Sequence, residues 1–178
     1  AEDAEISLEA NPGTLSPEYT ASLLNAGVNR LSIGVQSFAE RDLALLGRIH
    51  TSTQAMEALL SARRVGFGNL SLDLMFGIPG QSLVDWAANL NKALALQPDH
   101  LSLYSLILEP GTQLFNDVAA GRIQPVSDDL SADMYEMAMD VLEKAGFSQY
   151  EISNWARRES FEVKHNKIYW KNQLYLGV

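Results

Sequence analysis

The chain has 178 residues, of which 47% are apolar, 20% charged and 8% aromatic. These proportions suit one globular core and exclude disordered and collagen-like readings. At this length folding hides roughly 70% of the unfolded surface, so stability needs no disulfide or metal staple. The cysteine count of zero excludes thiol nucleophiles, zinc–thiolate sites and iron–sulfur ligation by these residues. Thirteen Lys and Arg against 22 Asp and Glu give a formal charge of −9, which repels phosphate backbones and argues against a nucleic-acid partner. No apolar run is long enough to span a bilayer, so no integral membrane segment is expected. Neither is a secretory leader, because the start lacks a basic region before an apolar one. The chain opens without Met almost directly in an apolar alternation and ends on Tyr175-Leu176-Gly177-Val178, which reads as a strand. It therefore reads as a piece of a longer protein.

One pattern repeats along the chain. Ile6-Ser7-Leu8, Leu31-Ser32-Ile33, Leu70-Ser71-Leu72 and Leu101-Ser102-Leu103 alternate with the period of a strand. Extended in phase, one face carries Ser7, Glu9 and Asn11, then Ser32, Gly34 and Gln36, then Ser71, Asp73 and Met75, then Ser102, Tyr104 and Leu106. The other face is apolar throughout. Helical patterns lie between these strands. Ser16-Pro17-Glu18 opens one that stops at Gly27. Another runs from Thr51 through Ala55, Leu59 and Ala62 to Gly66, and a third from Ser82 through Trp86, Leu90, Ala93 and Leu94 to before Pro98. The stretch from Asp129 carries an apolar stripe up to Gly146, where Met134, Met137 and Met139 read mostly as core. The exits Ala26-Gly27-Val28, Val65-Gly66-Phe67 and Ala145-Gly146-Phe147 match, and the last leads into a fifth strand over Tyr150-Glu151-Ile152-Ser153. Strands alternating with helices predict an α/β fold of parallel βα units. A doubly wound sheet would be greasy on both faces, whereas the Ser, Gly and Asp phase suits the inside of a barrel that encloses a polar site. The rival is an amphipathic antiparallel sheet with Ser facing water, against which the intervening helices count.

In such barrels ligands meet the C-terminal ends of strands. Glu9, Asn11-Pro12-Gly13-Thr14, Gln36-Ser37, Asp73, Gly77 to Gln81, Glu109 to Thr112 and Ser153-Asn154 stand there. Glu9 and Asp73 share the inward phase. Each is either an acceptor for ribose hydroxyls or an ammonium group, or a buried acid that orders loop amides. Arg48 follows Gln36 by 12 residues, and the pair can grip a carboxylate through the guanidinium fork, or Arg48 can be a solvated surface residue. The Pro-Gly pairs are turn chemistry and match no phosphate loop, and no G-x-S-x-G elbow is present. His50 and His100 read as structural. His165-Asn166 with Tyr169-Trp170 combines an axial-ligand candidate with flat aromatic faces suited to a macrocycle, or forms a hydrogen-bonded core cluster.

Glu-Ala-Asn-Pro-Gly-Thr at 9–14, Asn-Arg-Leu-Ser-Ile-Gly-Val-Gln-Ser-Phe at 29–38, Leu-Gly-Arg-Ile-His at 46–50 and Leu-Asp-Leu-Met-Phe-Gly-Ile-Pro-Gly-Gln at 72–81 resemble the oxygen-independent coproporphyrinogen III oxidase-like family of radical SAM proteins. Tyr-Glu-Ile-Ser-Asn-Trp-Ala-Arg at 150–157 and His-Asn-Lys-Ile-Tyr-Trp at 165–170 are more similar to its HemW haem-chaperone branch than to the dehydrogenase. The resemblance implies a partial TIM-type barrel that lacks its first strands, with residues 1–147 in the barrel and 148–178 starting the family's C-terminal region. It implies S-adenosylmethionine and a 4Fe-4S cluster as cofactors, the cluster held by a CxxxCxxC loop upstream of Ala1, and haem or a porphyrin as small-molecule partner. Gln36, Arg48 and Asp73 correspond to contacts with the cluster-bound S-adenosylmethionine, and Glu9 and Ile107 to contacts with a second one in the dehydrogenase. His165, Asn166, Tyr169 and Trp170 carry a haem-contact hypothesis. Two functions follow from the resemblance. One is a cytoplasmic haem chaperone serving a haem-acceptor protein, and the other is a coproporphyrinogen dehydrogenase that works by radical decarboxylation. The fragment alone would be inactive in either case, for want of the cluster cysteines.

Overall fold

Ser7–Ala10 (β1), Arg30–Gln36 (β2), Leu70–Phe76 (β3) and His100–Ser105 (β4) form the repeated strands in a computed structural model that describes residues 4–177. They lie side by side in chain order and pair in parallel, with Leu8 opposite Leu31, Leu31 opposite Leu70 and Leu72 opposite Leu101. The apolar phase is fully interior. Leu31, Ile33, Val35, Leu70, Leu72, Leu74, Leu101 and Leu103 are all buried beneath a helical layer that presents Leu59, Trp86, Leu90, Met134 and Leu142.

The helices are Pro17–Asn25 (α1), Glu40–Leu45 (α2), Ser52–Val65 (α3), Leu83–Ala95 (α4), Gln113–Ala119 (α5) and Asp128–Lys144 (α6), of which α5 buries no residue. The helix starts follow the expected caps. Ser16, Thr51 and Ser82 each accept a backbone N–H of the first turn, and Gln54 and Asp85 complete capping boxes. By contrast, α6 starts at Asp128 behind the cap Ser127 rather than at Asp129, and its Met139 points away from the core at 40% exposure. Gly66 leaves α3 at φ 115°, a conformation that a side chain would strain and that turns the chain into β3. The helices α2 and α5, and a further helix Lys164–Trp170 (α7), go beyond the sequence expectations. At six or seven residues each, they are too short for a periodic stripe to show.

The fifth strand differs from expectation in an informative way. Ser148–Glu151 (β5) and Asn154–Ala156 (β6) form a hairpin around Ile152-Ser153, and the sheet order is β1-β2-β3-β4-β6-β5. The α6 crossover does deliver β5 parallel to β4, but one place further out. The chain then turns back, and β6 fills the gap antiparallel to both neighbours, with Ser102 opposite Asn154 and Glu151 opposite Asn154. Residues 148–156 thus extend the same sheet. No strand forms over 175–177, where Leu176 is 88% exposed and has no neighbouring strand to pair with, and Val178 lies outside the described residues.

Candidate functional site

The polar phase of the sheet lines a cavity of about 750 Å³. The register sets its rows: Glu9, Ser32, Ser71 and His100 follow one another across the sheet, and Asp73, Ser102 and Asn154 form the next row toward the strand ends. Ser32 Oγ donates diagonally to Asp73 Oδ1 at 2.9 Å. Burial pushes the Asp73 carboxyl above its ordinary value, hydrogen bonds from Ser32 and Ser102 and the charge of Arg30 pull it back, and Glu9 pushes it up again. A carboxylate at this depth gains most from a ligand that donates to it. Tyr104 stands at the strand-end rim, its phenol also shifted upward by burial.

The end of β2 is built around Gln36. The pairing slips by one residue between Ile33 and Gln36, which is a β-bulge. Gln36 takes φ 65°, and Ser37 N–H closes a three-residue turn on Val35 O at 2.8 Å. Such γ-turns are strained for a residue with a side chain, so the surroundings must hold it in place. A buried polar clamp does so. Asn89 Oδ1 accepts from Phe38 N at 2.5 Å and lies 3.1 Å from Ser37 Oγ, which donates to Asp42 Oδ2 at 2.9 Å. Gln81 Nε2 reaches the same carboxylate at 3.5 Å, and His50 Nε2 donates to Val35 O at 3.1 Å. The bulge aims Gln36 into the cavity, above Gly34. A Cβ on Gly34 would stand 2.9 Å from Gln36 Nε2 and 3.6 Å from Arg48 Nη2, so this glycine leaves room for the two side chains to converge. Arg48 is also tied to Asn11 Oδ1 at 3.1 Å.

Asn89→Ala removes the acceptor for a buried Phe38 N–H, at a cost of about 1–3 kcal/mol. The expected result is a lower unfolding midpoint in denaturant together with weaker binding of any ligand that Gln36 and Arg48 hold.

The structure brings Glu9, Gln36, Asp73, His165 and Asn166 onto one cavity, with Arg48 beside Gln36. Ile107 is 73% exposed on the loop after β4, outside the lining, and so are Tyr169 and Trp170, although Tyr169 packs edge-on against His165 at 4.8 Å. The two ends of the cavity are distinct. Gln36, Asp73 and Tyr104 lie toward the C-terminal ends of the strands, whereas α7 meets their starts, where Lys164 N–H donates to Glu5 and Val163 N–H to the Tyr150 hydroxyl. Arg30 on this floor was missed by the sequence reading, although it continues the inward phase of Ser32 by two residues.

The family profile of the radical SAM superfamily matches residues 1–93, more than half of the chain. The chain belongs to the radical SAM superfamily. A heme chaperone HemW of Bacillus subtilis is 45% identical over 174 residues, 98% of this chain and 46% of that protein. The mouse mitochondrial radical S-adenosyl methionine domain-containing protein 1 is 46% identical over 176 residues, covering 99% of this chain and 40% of its own length. The coproporphyrinogen III oxidase HemN of Escherichia coli, a radical SAM enzyme of known structure, superposes with a TM-score of 0.77 at 28% identity, over 89% of this chain and 36% of that one. The chain thus spans less than half the length of these relatives. Within the radical SAM superfamily it resembles the HemN-like proteins and, among them, HemW. The parallel sheet is part of a radical SAM partial barrel. Among the described residues no helix is long and apolar enough to cross a membrane, and no cluster of His, Asp and Glu suits a metal ion.

Proposed function

We propose that this chain forms one wall of an S-adenosylmethionine site and the haem-contacting floor of a haem chaperone. The observation that carries the reading is the two-ended cavity, with Asp73, Gln36 and Arg48 at the strand ends and His165 and Asn166 at the strand starts. The donor set fits the cofactor. Asp73 accepts from ribose hydroxyls, while Arg48 and Gln36, converging over Gly34, hold a carboxylate. Glu9 lies one strand away from Ser32 and adds negative charge that favours a cationic ligand. S-adenosylmethionine supplies a sulfonium centre and, with a 4Fe-4S cluster, one-electron chemistry. The cluster does not fit these residues, which include no cysteine, so its ligands would lie outside this chain. Ile107, exposed away from the cavity, lends no support to a second S-adenosylmethionine.

Haem is the cargo in this reading. His165 offers an imidazole on the cavity floor, and Tyr169 and Trp170 extend from it as exposed aromatic faces on α7, a helix within the C-terminal region 148–178. The compartment we assign is the cytoplasm, on the similarity to bacterial HemW, and the recipient is a haem-acceptor protein.

The test gives the full-length protein haem and, separately, coproporphyrinogen III with reductant and S-adenosylmethionine. The expected outcome is a haem absorbance band and no protoporphyrinogen, and His165→Ala weakens haem binding about tenfold or more, the equivalent of about 1.4 kcal/mol. Protoporphyrinogen formation without haem binding would replace this reading by the dehydrogenase one.

A further inference from the structure

Tyr150 belongs to β5, but its hydroxyl serves two other elements. It lies 2.9 Å from Nε2 of His100, the first residue of β4, and accepts the N–H of Val163, the residue before α7, at 3.2 Å. Asn166, in the first turn of α7, also bonds to the phenol through its side chain. His100 is wholly buried. Its Nδ1 lies 2.8 Å from Ser71 Oγ and 3.4 Å from Nη2 of Arg30.

The direction of these bonds follows from their chemistry. A guanidinium only donates, so Nδ1 of His100 is an acceptor and the imidazole proton sits on Nε2. Burial, reinforced by Arg30, pushes the His100 pKa down to about 3, so the ring is neutral at physiological pH and its single N–H points at Tyr150. Burial likewise raises the phenol to about 12, so Tyr150 keeps its proton. Its oxygen accepts from His100 and from Val163. The hydrogen bonds run Arg30, His100, Tyr150, α7, crossing from β2 through β4 and β5 without a break.

We propose that Arg30, His100 and Tyr150 are positioning residues, a buried relay that fixes the first turn of α7 and thereby holds His165 and Asn166 at the floor of the cavity. Arg30 suits this task because it is 5% exposed, faces the cavity, and has no carboxylate within ion-pairing distance among the described residues. A buried cation without an ion pair is costly, and here it sets the tautomer of its neighbour. The inference rests on the haem reading only for the identity of the cargo.

Tyr150→Phe in the full-length protein tests it, because the ring that packs on His100 at 5.7 Å stays and only the hydroxyl goes. The expected results are amide hydrogen exchange about tenfold faster over residues 163–167, a weakened and shifted haem absorbance band, and S-adenosylmethionine affinity within about twofold of the parent. His100→Gln, which keeps an N–H in the place of Nε2, should behave like the parent, and His100→Leu like Tyr150→Phe. Unchanged exchange over 163–167 in Tyr150→Phe overturns the relay, and so does an equal loss of S-adenosylmethionine binding, which would signal general loosening. Should the parent protein itself bind no haem, the haem reading fails, while the exchange measurement still decides the relay.

Discussion

Asp73→Ala in the full-length protein should reduce S-adenosylmethionine affinity by roughly 10- to 100-fold, the equivalent of the 1.5–3 kcal/mol carried by hydrogen bonds to a charged group. The loss is large because the carboxylate sits deep on the cavity wall, where Ser32 and Ser102 already bond to it and a ligand supplies the further donors. The same residue predicts a gain in stability. Its pKa is raised in the folded protein, chiefly by burial, so between the ordinary value of 3.8 and the raised one the folded state binds more protons than the unfolded state. Stability therefore falls as pH rises through that window. Asp73→Asn removes the titration. It should melt above the parent at pH 7 and lose this part of the pH dependence on the acid side, as thermal melts across that range would show. Equal S-adenosylmethionine affinity in parent and variant, measured by calorimetry, would remove Asp73 from the site.

Trp86→Ala should cost about 3–5 kcal/mol, a large share of the roughly 5–15 kcal/mol that holds a typical domain together. The indole is fully buried, donates to Met134 O at 2.8 Å and lies 5.6 Å from the Phe76 ring, so it joins α4, α6 and the end of β3 at one point. Truncation opens a cavity under the strand that carries Asp73. A fall in melting temperature of about 10 °C is expected for a chain of this size, and Trp86→Phe should fall less because most of the packing remains. A melting temperature within a few degrees of the parent for Trp86→Ala would mean that α4 and α6 are not fastened through this residue.

The strands, their polar and apolar faces and the caps of the long helices were legible because each leaves a local mark: period-two alternation in 30–36, 70–76 and 100–105, Ser or Thr before a helix, glycine after it. Asp73 and Glu9 were reachable for the same reason, since phase alone puts them on the inner face, whereas Gln36 shares that phase in the sequence but reaches the cavity through the bulge. The helices α2, α5 and α7 left no such mark, nor did the β6 hairpin, whose two-residue turn at Ile152-Ser153 lies inside what reads as one strand.

Arg30 and His100 show a different limit. Their phase was visible, but Arg30 becomes informative only when its buried neighbours are known, and His100 reads from sequence as a structural residue without a stated partner. Tyr150 could not be joined to His100, 50 residues away, until β6 had inserted between β4 and β5.

The sequence by itself determined the absence of cysteine, hence of any cluster ligand within these 178 residues, together with the parallel βα units and the polar inner face of the sheet. Those properties are set by composition and by the period of neighbouring residues. Only the tertiary structure decided that Gln36 and Arg48 converge over Gly34, that α7 closes the opposite end of the cavity from Asp73, and that a buried Arg–His–Tyr chain connects the two strands to that helix. Each of these depends on side chains from separate elements meeting at hydrogen-bond distance, and strand register, a bulge and one hairpin set those meetings.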